Sequence, residues 1–215
     1  RVDQQNDAPV LTGEKFTLID GAEDNIYTFT IDQLLSGYTD VENDELSISS
    51  PIANGGSIID NEDGSYSFKP EKDLNGLITI AFNVVDANGA ITEASQSFTL
   101  IAANDPPVRV GGEIGELVIQ EDAALTNLGL TGLQYTPGGG VDEENQQLLY
   151  SVSQLPGAEL GTILLVNNDG STENVVEGNA YSLNQIESFA FSPNQNAFGE
   201  TAFSFDVIDS DGAIL

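Results

Sequence analysis

Two phrases decide how this chain reads: IAFNVVDANGAI at residues 80–91 and FSFDVIDSDGAI at residues 203–214. Ile80, Phe82 and Val84 alternate with less apolar neighbours in the first, as do Phe203, Phe205 and Val207 in the second. Period-2 alternation of aromatic and β-branched residues marks a half-buried strand. Asp86 and Asp209 follow the strands, and Asn88-Gly89 and Asp211-Gly212 then supply turn formers. Each phrase is a strand running into a tight turn.

The likeness spreads outward from these phrases. At an offset of 123 residues, segment 66–91 lies on 189–214 without a gap. Phe68/Phe191, Pro70/Pro193, Gly76/Gly199, Phe82/Phe205, Val84/Val207, Asp86/Asp209 and Gly89/Gly212 are identical pairs. Upstream, NDAPV (6–10) matches NDPPV (104–108), and 16 residues after each Asp comes an acidic pair, Glu23-Asp24 or Glu121-Asp122. The loop TDVENDELSIS (39–49) resembles VDEENQQLLYS (141–151). Conserved order over this length is the signature of a tandem repeat, with domains expected at 1–104 and 105–215. NDPPV reads as a stiff linker.

Strands of repeat 1 are expected at 14–20, 26–31, 45–50, 57–60, 65–69, 77–85 and 94–102, here lettered A to G. IDQLLSG (31–37) and SLNQIES (182–188) are single-turn helix candidates. Seven short strands joined by such turns give a Greek-key sandwich. The fold class is therefore all-β, two tandem sandwiches. Repeat 2 carries an insertion at 155–188 and lacks its last strand, since only Leu215 follows the aligned segment.

Composition narrows function. Five Lys+Arg against 35 Asp+Glu give a net charge of −30, which repels phosphate backbones and anionic lipid. The expectation is no nucleic acid and no membrane insertion. Without Cys, His, Met or Trp, the chain has no disulfide, no soft metal ligand and no usual general base. Carboxylates are too abundant to single out a glycosidase pair, so the chain reads as non-enzymatic. With no Met in the chain, the expectation is a mature, processed or excised piece.

The NDAPV and NDPPV linkers, the Glu-Asp pairs, the acidic B–C loops and the F-x-P…G…F-x-V-x-D-x-x-G signature resemble the bacterial cadherin-like repeats of large RTX-type surface adhesins. The 155–188 insertion looks more like the chondroitin-sulfate-proteoglycan-type cadherin-like repeat. The resemblance implies an extracellular, cell-surface module stiffened by calcium and serving as a spacer or adhesion segment.

Sandwich geometry independently assembles oxygen ligands. The A–B and E–F loops of repeat 1 bring Glu23, Asp24 and Asp73 toward the linker residues Asn104 and Asp105. The B–C and F–G loops of repeat 2 bring Asp142, Glu144, Asp209 and Asp211 to the same place. A second set at the N-terminal end is Asn6, Asp7, Asp40, Glu42, Asp44, Asp86 and Asn88. All-oxygen sets with carboxylates, amides and carbonyls suit Ca²⁺, which takes six to eight hard ligands. Gln146 stands where repeat 1 has Asp44, which breaks the correspondence by one ligand. Each carboxylate taken alone reads equally as a solvated turn residue.

Expected partners are neighbouring repeats and a glycan or peptide ligand, the latter through ILLV (163–166) and Tyr181 if these form an edge surface rather than core. Three readings of the missing strand stay open: a piece cut there, a split domain whose later segment returns, or a strand donated by another chain, the last of which would make the chain a filament subunit. RVDQQNDAPV (1–10), with little alternation before Val10, is a weak donor.

Overall fold

The computed structural model describes residue 1 and residues 5–215; residues 2–4 of the donor candidate RVDQQNDAPV lie outside the described residues. The chain divides into two compact units, Arg1–Ala103 and Asn104–Leu215, so Asn104 goes with the second. Both are all-β sandwiches.

In unit 1 the elements are β1 (Val10–Leu11), β2 (Gly21–Ala22), β3 (Tyr27–Thr30), α1 (Ile31–Leu35), β4 (Tyr38–Thr39), β5 (Ser47–Ala53), β6 (Gly56–Asp60), β7 (Ser65–Pro70), β8 (Gly76–Val85) and β9 (Ile91–Ile101). One sheet has the order β2-β9-β8-β5, the other β3-β7-β6, and β1 pairs with β4. The alternating residues meet between the two sheets. Tyr27, Phe29, Tyr66 and Phe68 from one cluster with Ile78, Ile80, Phe82, Val84, Phe98 and Leu100 from the other. Phe98 stacks on Tyr27 at 3.9 Å between ring centroids and meets Phe68 edge-on at 5.8 Å. Such pairs add to what area burial contributes.

Two local features depart from the strand pattern read in the sequence. Residues 14–20 form no ladder; only β2 pairs, parallel, with the end of β9. The segment is held instead by side chains. Gln96 donates its amide to the Phe16 carbonyl, Lys15 Nζ reaches the Ser95 carbonyl at 2.8 Å, and Tyr27 Oη donates to the Ile19 carbonyl at 2.8 Å. Strand C extends beyond residue 50 to Ala53 by bulging between Ser49 and Ile52. Pro51, with no N–H to donate, sits at that irregularity. The short helix α1 starts on a capping box: Gln33 N–H donates to Thr30 Oγ1 and Thr30 N–H to Gln33 Oε1.

Unit 2 comprises β10 (Val108–Gly111), β11 (Thr126–Asn127), β12 (Gln134–Thr136), β13 (Leu149–Gln154), β14 (Gly161–Val166), β15 (Thr172–Asn174), β16 (Ala180–Tyr181), α2 (Leu183–Glu187), β17 (Phe189–Pro193) and β18 (Ser204–Ile208). Its sheets are β11-β17-β14-β15 and β16-β13-β18, with β10 paired to β12. The 155–188 insertion supplies β14, β15, β16 and α2. Ile163, Leu165 and Tyr181 are buried in the core cluster, so this stretch fills the sandwich and is not an apolar ligand surface. β18 is half the length of its counterpart β8, and residues 199–203 form no strand. Ile214 bridges Ile208, and Leu215 exchanges both backbone hydrogen bonds with Val207 (2.9 and 3.2 Å).

Phe68 is fully covered, whereas its repeat partner Phe191 is only partly buried. Phe68→Ala should cost about 3–5 kcal/mol, and Phe191→Ala less than half of that. Guanidinium unfolding of the two variants followed by tyrosine fluorescence checks the difference.

Candidate cation site

Each unit builds the same cradle around its Asn-Asp-x-Pro-Val segment. In unit 1, Asn6 Nδ2 donates to Asp86 Oδ2 at 2.8 Å, and Asp7 N–H donates to Glu42 Oε2 at 3.3 Å. In unit 2, Asn104 Nδ2 donates to both Asp209 oxygens at 3.1 and 3.2 Å, and Asp105 N–H donates to Glu143 Oε1 at 2.5 Å. Pro9 and Pro107 are buried beside them. The Asn side chain is thus tied to the strand-ending Asp, and the following backbone N–H to a loop glutamate.

The strand-ending Asp also organises its own turn. Asp86 Oδ1 accepts the N–H groups of Asn88 and Ala90, both at 2.9 Å. Asp209 Oδ1 accepts those of Asp211, Gly212 and Ala213 at 2.6–2.9 Å. The turns close through Gly89 and Gly212, whose φ values of 89° and 96° lie in the left-handed region that side chains avoid. Burial pushes the Asp86 carboxyl up, but the bonds from Asn6 Nδ2 and from the Ala90, Asn88 and Gly89 N–H groups outweigh it. Asp86 therefore sits below the ordinary value of 3.8. A carboxylate lowered in the folded state stabilises above that value, and the contribution disappears as pH falls through the lowered one.

A single amide completes each cradle, contributed from opposite loops. In unit 1, Asn88 Nδ2 bridges Asn6 Oδ1 (3.0 Å) and Asp44 Oδ2 (2.5 Å). In unit 2, Gln146 Nε2 bridges Asn104 Oδ1 (2.7 Å) and Asp211 Oδ2 (3.1 Å). Asn88 aligns with Asp211, and Asp44 with Gln146. The amide and the carboxylate have changed places, so the Gln146 mismatch in the sequence is a compensated exchange.

Buried carboxylate oxygens remain in both cradles. Asp40 Oδ1 accepts the Glu42 and Asp44 N–H groups, whereas Oδ2 is buried and has no hydrogen-bond partner among the described residues. Glu143 is 2% exposed, and its Oε2 is likewise without one. Burial, with Asp105, Asp142 and Asp209 close by, raises the Glu143 carboxyl above its usual value against the Asp105 N–H bond. Gly139 makes room for this arrangement: a Cβ there would lie 2.6 Å from Asp105 Oδ2 and 3.0 Å from Glu143 Oε2. Oxygen-only donors with buried carboxylate oxygens fit a hard divalent cation better than any soft one.

Sequence spacing named Asp142 and Glu144 here, but both are exposed, and Glu143 between them is the buried one that accepts the Asp105 N–H. The remaining expected residues of the two cradles come together as described. Within unit 1, Glu23, Asp24 and Asp73 come together as expected. Asp73 N–H donates to Asp24 Oδ1 at 2.9 Å, and both residues take left-handed backbone at φ 55° and 58°. Asp122 and Asn196 repeat this in unit 2, with Asn196 N–H on Asp122 Oδ1 at 2.7 Å and φ values of 58° and 55°. Sequence reading missed that pair because Asn196 is not acidic. Lys72 Nζ holds both Asp73 oxygens at 2.6 Å, so a cation at Asp24 and Asp73 must displace it. Glu23, 1% exposed, accepts the Ala103 N–H at 2.5 Å and the Asn75 amide at 3.2 Å.

Residues 5–101, nearly all of unit 1, match the family model of the Cadherin-like domain. No curated protein matches the chain. Among solved structures, an endo-fucoidan hydrolase of glycoside hydrolase family 107 is 18% identical over 96% of this chain and 28% of its own, with a TM-score of 0.36. A structure of CBM51-2 in complex with GlcNAc and INT domains from Clostridium perfringens ZmpB is 13% identical over 95% of this chain and 45% of its own, with a TM-score of 0.19. The chain thus spans less than half of either.

The exchange of amide and carboxylate predicts a reversal. In the absence of divalent cations, Asn88→Asp places two carboxylates in contact and should lower the melting temperature of unit 1 by about 5 °C. Adding Asp44→Gln recreates the arrangement of unit 2 and should restore most of the loss. Calorimetry of the wild type, both single variants and the double variant gives the coupling.

Proposed function

We propose that this chain is a segment of an extracellular spacer or adhesion protein whose repeats bind Ca²⁺ at their Asn-Asp-x-Pro-Val cradles. The observation that carries the reading is the same cradle built twice, each with a buried carboxylate oxygen lacking a hydrogen bond. Leaving such oxygens dry is costly, and a cation offsets that cost while cancelling repulsion among the acidic neighbours. Asp40, Asp44, Glu42 and Asp86 would hold it in unit 1, and Asp105, Glu143, Asp209 and Asp211 in unit 2. Ca²⁺ supplies charge neutralisation and rigidity there, with no chemistry performed on a substrate.

The path of the chain supports a coupling to stiffness. Ala103 is fixed through its N–H to Glu23, and Asn104 and Asp105 follow it directly as members of the unit 2 cradle. A cation held by Asp105 therefore restrains the covalent link between the repeats. The Cadherin-like match over residues 5–101 supports a surface or adhesion module, and among the described residues no helix is long and apolar enough to cross a membrane.

Calcium at about 100 times its dissociation constant should add about 2.7 kcal/mol per site, seen as a rise in melting temperature that EGTA reverses. NaCl at matched ionic strength should not reproduce it, since screening lacks the site's selectivity. Small-angle scattering should show a longer maximum dimension with Ca²⁺. An EGTA-insensitive protein at low salt would sink the reading.

Glu143 gives a sign test. Its raised carboxyl contributes stability below the ordinary value of 4.5, and that contribution is lost as pH rises through the raised value. Above the raised value the ionised group is a cost in the apo protein. Glu143→Gln should therefore raise the EGTA-state melting temperature of unit 2 while weakening its response to Ca²⁺. The reverse change in either would show that Glu143 is not a ligand.

A further inference from the structure

We propose that Asn88 is a site of spontaneous deamidation, so that the cradle of unit 1 has a chemical lifetime that the cradle of unit 2 does not share. The substrate is the protein itself, and water is the co-reactant. This goes beyond the cation-binding reading and does not rest on it.

The two cradles use the same NH₂ bridge but build it from different side chains. In unit 1 it is the Asn88 amide, and the next residue is Gly89. In unit 2 it is the Gln146 amide, and the next residue is Gln147. Attack of the Gly89 nitrogen on Asn88 Cγ closes a succinimide ring, and with no Cβ on Gly89 no side chain obstructs it. From Gln146 the same attack must close a larger ring, past the side chain of Gln147. The position aligned with Asn88 in unit 2 is Asp211, which has no amide to lose.

The reaction needs no oxidant or reductant. A solvent base takes the Gly89 N–H proton, and the nitrogen bonds to Asn88 Cγ. The Cγ–Nδ2 bond then breaks, and the side-chain nitrogen leaves as ammonia after gaining a proton from water. Water adds to either ring carbonyl and opens the ring. One product is Asp at position 88, and the other is isoaspartate, whose backbone is longer by a methylene. Either way the amide that bridges Asn6 and Asp44 is lost. The first product sets two carboxylates against each other. The second lengthens the turn that Asp86 holds through the Asn88 and Ala90 N–H groups.

Asn-Gly pairs stand at 54–55, 75–76 and 88–89, and the structure separates them. Asn54 Oδ1 accepts the Thr79 N–H at 2.6 Å and its Nδ2 donates to the Leu77 carbonyl at 3.3 Å, which locks the amide against β8. A Cβ at Gly55 would clash with the Leu74 side chain, so that turn is crowded as well. Asn75 is partly buried, and its Nδ2 donates to the buried Glu23, away from the water that the reaction consumes. Asn88 and Gly89 are both exposed at a hairpin tip, and no atom lies within 4 Å of where a Gly89 Cβ would be. The Asn88 amide is also hydrogen-bonded, but to acceptors at an exposed surface, where water competes for it. Those bonds, and the ones from the Gly89 N–H to Asp86, must open before the ring closes. The reaction therefore runs through the opened turn, and exposed turns open at the lowest free energy.

The test incubates the full wild-type chain in EGTA at mildly alkaline pH and maps it by peptide mass spectrometry at intervals. Asn88 should convert at least several-fold faster than Asn54 and Asn75, with matching release of ammonia, while Gln146 keeps its amide. The melting temperature of unit 1 should fall by about 5 °C in step with the conversion. Asn88→Gln, whose side chain cannot close the succinimide, should hold its melting temperature through the same incubation. Persistence of the Asn88 amide while Asn54 or Asn75 converts overturns the proposal. So does an equal loss of melting temperature in Asn88→Gln. Every readout is made without a cation, so a chain that ages at Asn88 yet ignores Ca²⁺ supports this proposal and counts only against the cation-binding reading.

Discussion

One carboxylate at the end of one strand holds each unit together at the end where its Asn-Asp-x-Pro-Val segment enters. Asp86 and Asp209 each accept the backbone N–H groups of their own hairpin turn on one oxygen. Each also receives the side-chain amide of the Asn that begins the repeat. Entry segment and final hairpin lie far apart in sequence, so this carboxylate closes a loop of most of a domain. Its partners are fixed dipoles and need no counter-charge, and at Asp86 they favour the ionised form against burial. The rest of the cradle follows from it. Once the Asn is anchored, the next N–H must meet an acceptor, and Glu42 or Glu143 provides one.

Charge in these cradles is arranged with economy. Each has one bridging amide, and it comes from the hairpin turn in one unit and from the B–C loop in the other. What is retained is an NH₂ group between an amide oxygen and a carboxylate, irrespective of which loop donates it. Such a requirement is set by the pair of positions, so neither position alone is constrained. A second amide would leave donors facing donors, and a second carboxylate would add repulsion that only a cation relieves.

Much of this was legible in the sequence. Alternation at Ile80-Phe82-Val84 and Phe203-Phe205-Val207 marked the strands because half-burial imposes period 2. The Asn-Gly and Asp-Gly turns bounded them. Strand A was misread because Phe16, Leu18 and Ile19 look strand-like, while the segment is held by side chains from β9 and β3 rather than by a ladder. Glu143 was missed for a different reason. In VDEEN every residue near the aligned position is acidic, so identity cannot fix the register. The backbone path through Gly138 and Gly139 does, turning Glu143 inward and leaving Asp142 and Glu144 in solvent. Burial of one carboxylate among three depends on where Cβ atoms are absent, which is a tertiary fact.

Comparison of the two units also separates what a final strand contributes from what the cradle contributes. The cradle is built in both, and so are the left-handed pairs Asp24/Asp73 and Asp122/Asn196. It therefore needs only the first two residues after the turn, Ile91-Thr92 or Ile214-Leu215. Cover over Phe203, Phe205 and Phe191, and the burial of the first Glu of the acidic pair, need the remainder of the strand. Ordering of 199–203 into a ladder needs it as well, because an edge with no partner has backbone groups that water satisfies as readily. The comparison thus separates a polar end, which closes on local hydrogen bonds in both units, from an apolar flank, which β9 covers in unit 1.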